Sequence, residues 1–283
     1  TLGKMPARMV AVCGLGLQAD VTADRVRDAA AEGCRALRRL GCTSVATTLL
    51  GAGTAGLDAA VSARAISEGA ALGLYTFNRY KAPEGPDVDL VRIVVRDASV
   101  PASLDKAVDA GVILSESTNL ARDMVNEPAN YMTPSRMAQV SLDVASAYGL
   151  RATVLDKDEI VSLGMGALLG VAQGSAEPPK FIRLDYTGAE PSAPRTGLIG
   201  KAITFDSGGI SIKPSEGLAE MKDDMAGGAS VIAAIAAIAR LQLNANVSAL
   251  IPAVENLPDG RAFRPGDILK SMSGKTIEVM STD

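Results

Sequence analysis

The sequence contains no histidine. That absence removes the Ser-His-Asp and Cys-His nucleophile pairs, which need an imidazole base. It also removes helix-borne HExxH zinc proteases and the usual zinc fingers. A metal here must be held by Asp, Glu, Lys, Cys or main-chain oxygen. Such carboxylate-rich sites suit Mg²⁺ and Mn²⁺, and Zn²⁺ where a nitrogen joins. Tryptophan is absent as well, and aromatics make up only 3% of the chain. The three cysteines, Cys13, Cys34 and Cys42, are odd in number and lack ligand spacing. They read as reduced core thiols of a cytosolic protein. A net charge of −4 gives no reason to expect nucleic acid. No apolar run reaches the roughly 20 residues of a membrane span; the longest, 226–239, stops at Arg240.

What is present is a globular composition. Of 283 residues, 47% are hydrophobic and 21% charged, enough for a sizeable core and a size suited to two domains. Lys4 and Arg8 before the apolar run 9–17 imitate a signal peptide. Gly14 and Gly16 interrupt that run, so 9–13 is expected to be a buried first strand. Because the chain begins with Thr1, residues ahead of it are expected to be missing.

Thr22 is a candidate N-cap for a helix to about Leu40. Val26, Ala30, Cys34 and Leu37 share one face, and arginines lie opposite and toward the C-terminal end. Segment 44–49 reads as a strand, 57–74 as a helix and 88–95 as a strand, with a turn at Pro83, Gly85 and Pro86. Segment 103–125 reads as one helix, roughly 35 Å long at 1.5 Å per residue, ended by Asn126-Glu127-Pro128. Thr133-Pro134-Ser135 opens the next helix. Beyond it, 152–155, 181–186, 196–199, 247–253 and 276–280 read as strands, and 136–148, 157–163 and 225–241 as helices. The pattern predicts an α/β chain: a small N-terminal α/β domain (1–102), a linking helix (103–127), and a mostly parallel-sheet α/β catalytic domain (128–283). Ligands of such sheets lie beyond the carboxyl ends of the strands. That rule puts Lys201, after 196–199, and Asp283, after 276–280, at the functional edge.

Gly14-Leu15-Gly16-Leu17-Gln18-Ala19 resembles a dinucleotide fingerprint, but the helix signal starts only near Thr22 and no acidic residue follows at the required distance. Gly200-Lys201 lacks the glycine spacing and the Ser/Thr of a P-loop. Singly, Gly208-Gly209 reads as a tight turn, and Lys201, Lys213 and Asp224 as surface charges. Together with Asp206 they form a Gly-punctuated cluster next to apolar runs, where unpartnered lysines would be costly. A lysine beside carboxylates and a metal can lose its proton and become a ligand. The cluster points to a hydrolytic metal site.

Several ordered motifs carry a resemblance: Asn119-Leu120-Ala121-Arg122-Asp123-Met124-Val125-Asn126-Glu127-Pro128-Ala129-Asn130 with Thr133-Pro134; Gly170-Val171-Ala172-Gln173-Gly174-Ser175 with Pro178-Pro179-Lys180; the 200–228 stretch; and Ser281-Thr282-Asp283. Together they resemble the leucyl (cytosol) aminopeptidase family, strongly over 105–283 and weakly before. The resemblance implies a metalloaminopeptidase that releases N-terminal amino acids from peptides by two-metal activation of a bridging water. It implies Lys201 and Asp206 as metal ligands, Asp206 being shared between two ions. Asp224 would serve the tighter ion and Asp283 the more exchangeable one. Lys213 would polarise the substrate carbonyl, and Met221 would line the pocket for the N-terminal side chain. It further implies two divalent ions per subunit, Mn²⁺ or Zn²⁺, a bicarbonate in the intact enzyme, a homo-hexamer, a cytoplasmic location, and no nucleic-acid or membrane partner. The family continues past Asp283 with a bridging Glu and an Arg that holds the bicarbonate, so the catalytic domain is expected to be incomplete and the chain inactive by itself. Ser281 and Ala202 depart from the usual Asn and Gly. The alternative is a non-catalytic oligomeric binding or structural relative.

Overall fold

The computed structural model describes residues 3–4, 6–82, 85–96 and 102–283. Contacts divide the chain into two compact units, Thr1–Asn119 and Leu120–Asp283. Pro83, of the expected turn, lies outside the described residues.

The first unit pairs two helices with a two-stranded sheet. Helix α1 (Ala23–Arg39) starts where Thr22 accepts the Arg25 main-chain N–H at 3.3 Å, and it ends on Arg38 and Arg39. Strand β1 (Ser44–Thr48) runs parallel to β2 (Leu90–Val94), and helix α2 (Ala59–Gly73) crosses between them under an Asp58 cap. Val26, Ala30 and Ile66 form one buried cluster and Cys34, Val45 and Ala70 another. The cysteines are unpaired. The expected strand at 9–13 is not formed. Those residues are irregular and pair with no strand, and Val12 is 92% exposed. An apolar run becomes a strand only where a partner accepts its main-chain bonds. The helix after Gly14 and Gly16 opens only at Ala23, beyond a short 3-10 turn at Gln18–Asp20. Helix α3 (Ala102–Asn126) contains the boundary between the two units.

The second unit is a sheet covered by helices. In chain order it holds α4 (Pro134–Tyr148), β3 (Arg151–Leu155), α5 (Lys157–Ser162), α6 (Gly166–Ala172), β4 (Lys180–Thr187), β5 (Arg195–Ile199), β6 (Ala202–Asp206), α7 (Ala226–Arg240), β7 (Asn246–Asn256), β8 (Ile268–Lys270) and β9 (Thr276–Glu278). Helix α4 carries Pro134 in its first turn, and the Thr133 cap accepts from Arg136 N–H at 3.3 Å.

Strand β7 is the centre of the sheet. It pairs antiparallel with β4, which pairs antiparallel with β3, and its other edge runs parallel to β5 and then β6. The sheet is therefore mixed, where a mostly parallel one was expected. Pairing direction depends on how distant segments meet, and local pattern does not encode it. The register along β6 shifts between Ile203 and Asp206. Strand β6 alternates buried and half-buried residues over 202–206, close behind Gly200-Lys201. Strand β9 forms within the expected 276–280 but outside the main sheet: it pairs antiparallel with β8 in a separate two-stranded sheet.

Alanine-rich α7 packs against β7, and Ile182, Leu184, Met225, Ile232, Ile235, Ala249 and Ile251 are buried in the core they share. Gly228 allows this approach, since a Cβ there would sit 2.8 Å from Ala202 Cβ and 2.9 Å from an Ile251 methyl. Among the described residues no helix is long and apolar enough to cross a membrane.

Candidate metal centre

The carboxyl ends of β5, β6 and β7 supply the framework. Lys201 sits in the break between β5 and β6, and its main-chain oxygen accepts the Gly228 N–H at 2.7 Å. This bond fixes the lysine backbone against the first turn of α7. Asp206 ends β6 and is buried; its Oδ1 accepts from Gly208 N–H at 2.9 Å and from Asn256 Nδ2 at 2.8 Å. Asp224 follows the 3-10 turn Leu218–Asp223, and its main-chain oxygen accepts the Ile203 N–H at 3.2 Å. That bond brings Asp224 alongside the start of β6, where its Oδ2 lies 2.8 Å from Lys201 Nζ.

The electrostatics follow from this crowding. Burial pushes the Asp224 carboxyl above its ordinary value, the neighbouring Asp206 adds to the rise, and Lys201 opposes it. Asp224 Oδ2 is buried and its contact with Lys201 is an ion pair without hydrogen-bond alignment. Lys213 Nζ lies 3.7 Å from Asp206 Oδ2 and pairs with Asp283 Oδ1. The bond to Asp283 lifts the Lys213 ammonium above its ordinary value despite some desolvation. The structure thus brings Lys201, Asp206, Asp224, Lys213 and Asp283 together. Met221 sits half-buried in the 3-10 turn ahead of Asp224, and no hydrogen bond or ion pair joins its side chain to them.

Further residues hold the cluster and were not singled out in the sequence. Thr282 Oγ1 donates to Gly208 O at 2.6 Å and accepts from Ser211 N–H at 2.8 Å, and Thr282 N–H donates to Ser211 Oγ at 3.2 Å. Ser207 O accepts the Lys213 N–H at 2.9 Å. These bonds, more than β9, deliver Asp283 to the cluster.

The donor chemistry fits a divalent cation of the Mn²⁺ or Zn²⁺ kind. Two neighbouring carboxylates, one bearing a buried oxygen without a hydrogen bond, stand beside lysine ammoniums here. Among the described residues no three Asp, Glu or Cys side chains form a cage by themselves.

The fold and site define an α/β protein with a lysine–carboxylate cluster at the carboxyl ends of its strands. The chain belongs to the cytosol aminopeptidase family: the family's catalytic-domain model matches residues 119–283 and its N-terminal-domain model residues 1–84. It is 43% identical over 286 residues to the probable cytosol aminopeptidase of Geotalea uraniireducens (strain Rf4), covering 100% of this chain and 57% of that protein. It is 51% identical over 222 residues to the probable cytosol aminopeptidase of Solibacter usitatus (strain Ellin6076), covering 78% and 46%. Among solved structures it is similar to the bottromycin maturation enzyme BotP in complex with Mn (TM-score 0.86, 39% identity, 95% of this chain and 56% of that one). It is also similar to the cytosol aminopeptidase from Coxiella burnetii (TM-score 0.69, 31% identity, 80% and 46%). The chain spans about 57% of the length of the first of these curated relatives.

Proposed function

We propose that this chain serves a metal-dependent aminopeptidase that releases N-terminal amino acids from peptides. The observation that carries the reading is the Lys201–Asp224 pair set beside buried Asp206 at the carboxyl ends of parallel strands. Lys201, Asp206, Asp224 and Asp283 would hold two divalent ions, Mn²⁺ or Zn²⁺; manganese in the similar BotP structure supports the first. Bound ions of this kind supply Lewis acidity at a carbonyl and a nucleophilic water at neutral pH.

The chain's own groups do the remaining work. Lys213 keeps its proton, because Asp283 and Asp206 both favour the ammonium. Its Nζ is a donor for the oxygen on which negative charge grows as the peptide carbonyl becomes tetrahedral. Met221 offers an apolar contact for the N-terminal side chain. A homo-hexamer, a bicarbonate near the reacting centre and a cytoplasmic location complete the proposal, supported by family membership.

Hydrolysis of aminoacyl-anilides by the whole protein tests it, before and after treatment with a strong chelator. Activity is expected to vanish on chelation and return with Mn²⁺ or Zn²⁺. Full turnover in metal-free protein would sink the proposal.

A further inference from the structure

Asp206 is central to the proposed centre, and one buried amide governs how it is presented. Asn256 ends β7 and is 3% exposed. Its Nδ2 donates to Asp206 Oδ1 at 2.8 Å and to the Thr282 main-chain oxygen at 2.8 Å. Its own main-chain oxygen accepts from Ser207 twice, from N–H at 3.0 Å and from Oγ at 2.7 Å. One residue therefore joins the end of β6, the loop after it, and the segment that carries Asp283.

The chemistry fixes the amide's orientation. An amide nitrogen has two N–H donors, and both are used here. The two groups facing it, a carboxylate and a main-chain carbonyl, are pure acceptors, so the flipped amide would oppose oxygen to oxygen twice. The cost shows on the other side. Asn256 Oδ1 is buried and has no hydrogen-bond partner among the described residues. Gly209, at φ 63°, allows this packing, since a Cβ there would lie 2.7 Å from that oxygen. An unsatisfied buried acceptor destabilises a fold, so an apolar side chain would serve better if the position only filled space. The amide's worth lies in its nitrogen.

We propose that Asn256 is a positioning residue for the metal centre, a reading that rests on the metal-dependent function given above. With Gly208 N–H it occupies Asp206 Oδ1 and leaves Oδ2 turned toward Lys213 and free for a cation. Rotating the carboxylate breaks both bonds at once. The donor is neutral, so it orients the carboxylate without competing with a cation for its charge. Through the second N–H the same amide sets the main chain beside Asp283, and the two carboxylates are placed in one step.

Calorimetric Mn²⁺ titration of the whole protein, with circular dichroism and thermal melting of the metal-free forms, tests the proposal. Asp206→Asn is expected to abolish Mn²⁺ binding. Asn256→Ala is expected to stay folded and bind Mn²⁺ about 10–100-fold more weakly, the range for lost outer partners of metal ligands. Asn256→Ser is expected to fall between, because a hydroxyl brings one donor to two acceptors; it carries the test if the alanine variant does not fold. Wild-type Mn²⁺ affinity in a folded Asn256 variant, beside a failed Asp206→Asn, overturns the positioning role and leaves the metal centre standing. No Mn²⁺ binding by the wild type, or undiminished binding by Asp206→Asn, overturns both.

Discussion

Lys201 Nζ stands 2.8 Å from Asp224 Oδ2, while the main-chain bond from Ile203 N–H to Asp224 O ties the same two segments at 3.2 Å. The main chain alone thus keeps the two side chains within reach of each other. Lys201 is 59% exposed at its side chain, so their attraction is largely screened by solvent. In the proposed centre its value would lie in poising two donors for a shared cation.

Lys201→Ala is expected to lower the stability of the metal-free protein by no more than about 1–3 kcal/mol, since it leaves the buried Asp224 oxygen without its partner. Loss of a donor should weaken Mn²⁺ binding by more than the roughly 10–100-fold typical of an outer partner. Urea unfolding and calorimetric titration of the same preparation measure the two effects. A large stability loss with unchanged Mn²⁺ affinity would make the pair structural.

Lys213→Ala is expected to lower kcat by on the order of 10²–10³, the usual cost of a lost transition-state donor. Its main chain is held separately, by the N–H bond to Ser207 O, so the loop should keep its shape. Metal content measured beside steady-state kinetics should stay near wild type. Loss of metal along with activity would instead make Lys213 part of the ion's support.

Asp185 makes a pH prediction away from this site. It is buried on β4 and accepts from Ser248, from Arg183 Nε at 3.1 Å and from Arg151 at 3.0 Å. Burial alone would raise its carboxyl, but these bonds hold it below the ordinary range. A lowered folded-state value means full stabilisation above the unfolded value of about 3.9 and its loss as pH falls through the folded one. The melting temperature of wild type should therefore drop below about pH 4. Asp185→Asn should melt lower near neutrality and show a shallower acid limb. An acid limb of equal steepness in both proteins would place the titration elsewhere.

Local chemistry made much of this fold readable. Thr22 and the Thr133-Pro134 pair announce helix starts because their hydroxyls meet the free N–H groups of a first turn. Segment 9–13 misled because apolar content says nothing about a pairing partner. The strand at 276–280 forms, but local pattern does not name its partner, which is β8 and not the main sheet. In the site, Lys201, Asp206, Lys213 and Asp224 stand out as charges among glycines and apolar residues. Asn256 does not, since a lone amide after an apolar run resembles any strand ending. Its importance depends on segments far along the chain that only the fold brings near.

The shift in register along β6 has a consequence for how this site can change. Ala202 faces Ala253 and Asp206 faces Asn256, yet the step from Ala202 to Asp206 along β6 is even and the step from Ala253 to Asn256 along β7 is odd. The surplus residue between Ile203 and Asp206 reconciles the two counts. Because successive strand residues point to opposite faces, deleting one residue there would turn the aspartate to the far side of the sheet or set it past its amide partner. The segment can exchange side chains and keep its geometry, but it cannot change length. Drift by substitution is open to it, and drift by insertion or deletion is closed.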